Sequence, residues 1–185
     1  MTVDRAAAEL AIGAFLRAIG RDPAVEPELL GTPARVVAAY DELCDGYQVD
    51  PARVVRPHIV PGSTAIVALR DVTVTTMCPH HLMPASGTGT IAFAPRDKLV
   101  GLGVMAELLD VFAHRLTLQE EIGERVAATL ARELSARWVA CRLVLRHACV
   151  TARGAKKHGA TAETVAFVGD EASRDEAIAV VQGRS

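Results

Sequence analysis

The sequence predicts an α+β domain built on a largely antiparallel sheet. Apolar residues recur at helical spacing near the N-terminus and again between 104 and 135, whereas β-rich segments come in two pairs, at 64–94 and 138–168. The pairs are separated by helices rather than alternating with them, so the order after the N-terminal helices is ββααββ. Half of the 185 residues are hydrophobic, enough for a core without covalent staples.

The first helix spans about 4–19, with Ala8, Leu10, Ile12, Phe15, Leu16 and Ile19 as its apolar set and Gly20 as its stop. Thr32 before Pro33 reads as an N-cap opening a second helix to about Cys44, with Gly46 ending it. Residues 64–76 and 88–94 read as a hairpin joined by a Pro and Gly turn. Helices follow at 104–114 and 118–135. Thr117 and Glu120 stand at capping-box spacing before the stripe Ile122, Val126, Thr129, Leu130 and Leu134. A strand over 138–151 places Val139, Cys141, Leu143, Leu145, His147 and Cys149 on one face; a fourth strand at 164–168 and a helix at 173–181 complete the chain. An N-terminal helical segment, 1–50, thus precedes a single unit, 51–185.

A net charge of −2 supplies no global attraction to nucleic acid or to a membrane surface, so an anionic ligand has to be met locally. The first twenty residues carry Asp4 and Glu9 and lack a basic start followed by an apolar run, so no signal peptide or membrane span is expected, and a cytoplasmic location is. Cys44, Cys78, Cys141 and Cys149 are too irregular for a disulfide scaffold. Cys44 and Cys141 read as small buried apolar residues.

Chemistry concentrates at Met77-Cys78-Pro79-His80-His81 and Arg146-His147-Ala148-Cys149. Zinc favours thiolate and imidazole ligands in tetrahedral geometry, and a catalytic site takes three from the protein and leaves one position open. Cys78 and His81 are three apart across a turn; His147 and Cys149 are two apart on a strand. Five candidates for four positions leave spare imidazoles for acid and base work. The same residues are also compatible with a closed Cys2His2 structural site of Cys78, His81, His147 and Cys149. His58, His114 and His158 have no assigned role.

Taken together, TPARV at 32–36, MCPHH at 77–81, GLG at 101–103, LQE at 118–120 and HACVTARG at 147–154 resemble the GTP cyclohydrolase I family, from Thr32 to about Gly169. The resemblance implies a tunnelling fold, zinc held by Cys78, His81 and Cys149, and hydrolytic opening of the guanine imidazole ring at C8 with loss of formate. It implies proton transfers at His80 and His147, contacts to the guanine edge from Gln119 and Glu120, and phosphate contacts from Arg35 and Arg153. It also implies a toroidal homodecamer with active sites where subunits meet.

Where the family carries Gly-Leu-Ser-Lys-x-x-Arg, this chain has Gly101-Leu102-Gly103-Val104-Met105-Ala106-Glu107, so two cations are lost and an anion is gained. Gly103 lacks the hydroxyl linked to later rearrangement of the ribose, and Pro79 replaces an acidic residue. The expected substrate is therefore a guanine-type base, nucleoside or lightly phosphorylated nucleotide. The alternatives are GTP, with phosphate contacts from Lys98, Lys156 or Lys157, and a zinc-stabilised oligomeric purine-binding protein without turnover.

Overall fold

A computed structural model describes residues 3–62 and 64–183, which form two compact units divided between Asp45 and Gly46. In the first unit, α1 (Arg5–Ala18) opens on Asp4, whose carboxylate accepts the Ala7 N–H at 3.0 Å, and Gly20 at φ 84° turns the chain away. The expected apolar set is only partly covered within the chain: Leu10, Phe15 and Ile19 are exposed, and the buried contact with α2 is made through Gly13. Helix α2 (Thr32–Leu43) is capped by Gly31 in the left-handed region, not by Thr32. Thr32 is already helical, and its hydroxyl accepts from the Arg35 guanidinium at 3.0 Å instead of capping the backbone.

The second unit begins with α3 (Pro51–Val55), capped by Asp50, and a two-residue ribbon of β1 (Val60–Pro61) with β4 (Lys98–Leu99). Its main sheet has the order β2 (Val67–Cys78), β3 (Met83–Ala94), β5 (Trp138–His147), β6 (Ala162–Gly169), antiparallel throughout. Between β3 and β5 run α4 (Leu102–Ala113) and α5 (Gln119–Leu134). These helices bury one sheet face: Val74, Ile91, Phe93, Val139, Cys141, Leu143 and Leu145 meet Met105, Leu108, Leu109, Ile122, Val126, Leu130 and Leu134 in one cluster. On the other face, α7 (Arg174–Gln182) packs Ala177 and Val181 over Ala92, Ala94, Trp138 and Ala140, and Glu176 accepts the Trp138 indole N–H at 2.8 Å.

Three local expectations are corrected. Strand β3 starts at Met83 rather than 88, because it is an inner strand and pairs with both β2 and β5, which overrides the weak β-propensity of its Gly-rich start. Strand β5 ends at His147 and turns into α6 (Ala148–Thr151), so Cys149 does not share a strand face with His147. The last pair on β3 is Ala85↔His147; the next residue is Pro84, with no N–H to extend the ladder. Third, Thr117 is one residue too early to cap α5. A parallel bridge between Met77 and Leu116 keeps that segment extended, the cap is Leu118, and the Thr117 hydroxyl donates to Glu121 at 2.6 Å.

Gly87 is required by close approach, since a Cβ there would lie 2.0 Å from the Val144 carbonyl oxygen, whereas a Cβ at Gly103 would meet nothing within 4 Å. Gly87→Ala is therefore expected to lose about 1–3 kcal/mol of stability or more through overpacking against backbone. Gly103→Ala, in the first turn of α4, should be neutral or gain up to about 1 kcal/mol. Parallel urea titrations of the two variants check this; equal midpoints would contradict it.

Candidate active site

Two chain reversals build the site. Cys78 pairs with Met83 as β2 turns into β3, and the loop between them is closed by the Leu82 N–H donating to the Cys78 carbonyl at 2.9 Å. Leu82 sits at φ 50°, a left-handed conformation that costs a leucine roughly 1–2 kcal/mol. Within this loop His81 folds back, placing Nδ1 3.6 Å from the Cys78 Sγ. The His80 ring meets the His81 ring edge-on, with centroids 6.2 Å apart. The second reversal is α6, which carries Cys149.

The ligand atoms of Cys78, His81 and Cys149 lie within 4.8 Å of one another. Two ligands at ordinary zinc–sulfur and zinc–nitrogen distances and a tetrahedral angle are separated by about 3.6 Å, which matches the Cys78–His81 spacing. The donor set also fits a dication. Burial and the neighbouring Cys78 push the Cys149 thiol above its usual range, with Arg153 opposing, so that thiol resists ionising unless a cation compensates it. Elsewhere, Cys141 is fully buried with its pKa raised to about 12 by desolvation, an inert core residue, whereas Cys44 is only half-buried.

His147 stands outside this ligand group. Its Nε2 is 2.8 Å from Oε1 of Gln119, and burial lowers its pKa while the nearby Glu120 carboxylate raises it. Gln119, the first residue of α5, is buried; its Nε2 lies 3.2 Å from the Leu143 carbonyl, 3.1 Å from the Ala162 carbonyl and 3.1 Å from the Thr164 hydroxyl. Its side chain is thus engaged within the fold. Glu120, the next residue, is exposed. The entry to α5 is held by the Met77–Leu116 bridge and by Tyr47, whose hydroxyl donates to the Leu116 carbonyl at 3.3 Å and accepts the Leu116 N–H at 3.1 Å. Tyr47 and Thr164 carry no motif that sequence reasoning could have used.

Arg153 is exposed and near enough to Cys149 to favour its ionisation, followed by exposed Lys156 and Lys157. Arg35 lies in the first unit on α2. At the start of α4, Val104 is packed in the main core and Glu107 is exposed; the helix has no charged residue in its first turn.

The match to a family of cyclohydrolases acting on carbon–nitrogen bonds sets the class of this chain, and the thiol–imidazole–thiol cluster is compatible with it. Residues 8–182 match the GTP cyclohydrolase I family, and the chain belongs to it. GTP cyclohydrolase 1 of Corynebacterium glutamicum is 37% identical over 186 residues, covering 97% of this chain and 94% of that protein. GTP cyclohydrolase 1 of Brucella anthropi is 38% identical over 168 residues, covering 90% and 78%. The α+β architecture with antiparallel sheets is consistent with the tunnelling fold of that family. Among solved structures, the apo form of the archaeosine synthase QueF-Like aligns at a TM-score of 0.47 and 16% identity, over 59% of this chain and 98% of that one.

Metal analysis of dialysed protein tests the ligand set. Cys78→Ser, His81→Ala and Cys149→Ser are each expected to drop bound zinc to background, because removing one of three ligands leaves too few to hold it. His147→Ala should keep its zinc; loss there would make His147 a fourth ligand.

Proposed function

We propose that the chain is a zinc-dependent hydrolase that opens the imidazole ring of a guanine-type purine at C8, acting on a base, nucleoside or lightly phosphorylated nucleotide. The observation that carries this reading is the division of labour at the site. Three ligands converge, while His147, which a closed Cys2His2 site would take as its fourth, is held instead by Gln119. Zinc, when bound by Cys78, His81 and Cys149, supplies a Lewis acid that lowers the pKa of water. Adding water to the ring puts a hydroxyl on C8 and a proton on N7, and opening it requires a further proton on the departing ring nitrogen; release of C8 as formate takes a second water. His147, bonded to Gln119, and His80, whose ring meets that of His81, are the candidates for delivering and removing those protons. Glu120 can accept from both N1–H and the exocyclic amine of guanine, and Arg153 and Arg35 are candidates for a phosphate or other polar group. The homo-oligomeric, decameric assembly implied by the family, with sites completed between subunits, belongs to the same proposal.

The preference for few phosphates rests on α4, where the segment that carries two cations in the family has a core valine and an exposed glutamate. The alternative, turnover of GTP itself, is supported by the relatives named GTP cyclohydrolase 1 and by the basic run at Arg153, Lys156 and Lys157.

Comparing kcat/KM for guanine, its nucleoside, monophosphate and triphosphate, with formate and pterin fluorescence read separately, decides between them. Phosphate number is expected to matter little in the wild type, and Glu107→Arg should favour the triphosphate, since each charge-assisted contact is worth about 1–3 kcal/mol. A wild-type preference for triphosphate above about tenfold (about 1.4 kcal/mol) with a fluorescent product gives the GTP reading. In the same assay His147→Ala and His80→Ala should retain zinc and lose ring opening by roughly two orders of magnitude or more. Sedimentation of active protein as a monomer would remove the shared-site assembly.

A further inference from the structure

We infer that Gln119 is a positioning residue that fixes His147 as the Nε2–H tautomer and leaves Nδ1 as the ring's basic nitrogen; this rests on His147 being the proton carrier of the proposed reaction. The argument uses what each atom can donate. The Leu143 and Ala162 carbonyls only accept, and both lie within hydrogen-bond distance of one atom of the Gln119 amide, at 3.2 and 3.1 Å. That atom has to be the NH2. The other is then the carbonyl Oε1, which only accepts, and it is 2.8 Å from His147 Nε2, so that nitrogen carries the proton. Reversing the amide would set its oxygen against two carbonyl oxygens in a buried place.

The fold leaves Gln119 little freedom to do otherwise. It is 4% exposed, and as the first residue of α5 its backbone is fixed by the helix start. The carbonyls it binds belong to β5 and to the first residue of β6, joined by the pairs Leu143↔Thr164 and Leu145↔Ala162. Its third partner is the Thr164 hydroxyl. The amide therefore reads the position of two strands and transmits it to one ring nitrogen, as a neighbouring hydrogen bond sets which histidine nitrogen is protonated. A neutral imidazole has one basic nitrogen, so a fixed tautomer means that protons enter and leave His147 by a single atom, Nδ1.

The test is 15N-histidine solid-state NMR of the full zinc-loaded chain, sedimented without substrate, with His147 assigned by the signals missing in His147→Asn. The expected spectrum has Nε2 protonated and Nδ1 bare. Gln119→Met should give mixed tautomers, lower kcat by about tenfold or more and move KM for the purine by less than about threefold. An Nδ1–H tautomer in the wild type overturns the proposal whether or not the variants fold, and so does Gln119→Met with full kcat or a raised KM alone. Absence of ring opening on any guanine derivative, with Nε2–H observed, removes the proposed reaction and leaves the positioning intact.

Discussion

The pairing of Ala85 with His147 is the constraint from which the site follows. Because β3 lies between β2 and β5 and pairs Met83 with Cys78 and Ala85 with His147, the ends of β2 and β5 reach the same end of the sheet. They are still two strand spacings apart, about 10 Å. Thiols projecting from the strands themselves could not share an ion across that gap. Each cysteine instead lies where its strand gives way to a turn: Cys78 at the last pair before the hairpin loop, and Cys149 on α6. The ligand atoms then come within 4.8 Å.

The same register places a polar group in the core without penalty. Gln119 enters the sheet where β5 and β6 present the carbonyls of Leu143 and Ala162, and His147 takes up its remaining oxygen. A buried primary amide with both ends satisfied rigidifies its surroundings, whereas the same amide half-satisfied would be destabilising. Leu116, bridged to Met77 and held on both backbone groups by Tyr47, keeps the start of α5 at that depth. The Cys78–His81 loop, the start of α5 and His147 are thus joined by one backbone bridge and by the side chains of Tyr47 and Gln119.

The sequence carried the elements that depend on periodicity and the residues that depend on chemical type. The α5 stripe from Ile122 to Leu134 is buried, and the inward face of β5 from Val139 to Leu145 is the core. The thiols and His81 converge because soft ligands have few other reasons to cluster. What the sequence did not carry was set by contacts between distant segments. The cap of α5 shifted by one residue because of a bridge to Met77, 39 positions from Leu116. Cys149 left the strand because of Pro84 on its neighbour. Gln119 next to Glu120 reads as one more ligand-facing polar residue, and only the positions of Leu143 and Ala162 show that it faces inward. Each miss required knowing which strand lies beside which.

The departure at α4 has a physical character that substitution counting misses. Val104 is not an exposed residue left uncharged; it belongs to the cluster formed with Met105, Leu108 and Phe93, and burying a valine contributes roughly 1.5–3 kcal/mol. A lysine there would have to carry its ammonium out along its stem and would leave the core short of packing. Loss of one cation is therefore coupled to a gain in core packing, while loss of the other, at exposed Glu107, is a matter of surface charge alone. The two positions are not equivalent when reversed. Charge at 107 can be altered with little effect on the fold, so it isolates electrostatics from packing; a change at 104 mixes electrostatics with stability. The packing of Val104 makes a cation at the first turn of α4 the more costly of the two substitutions.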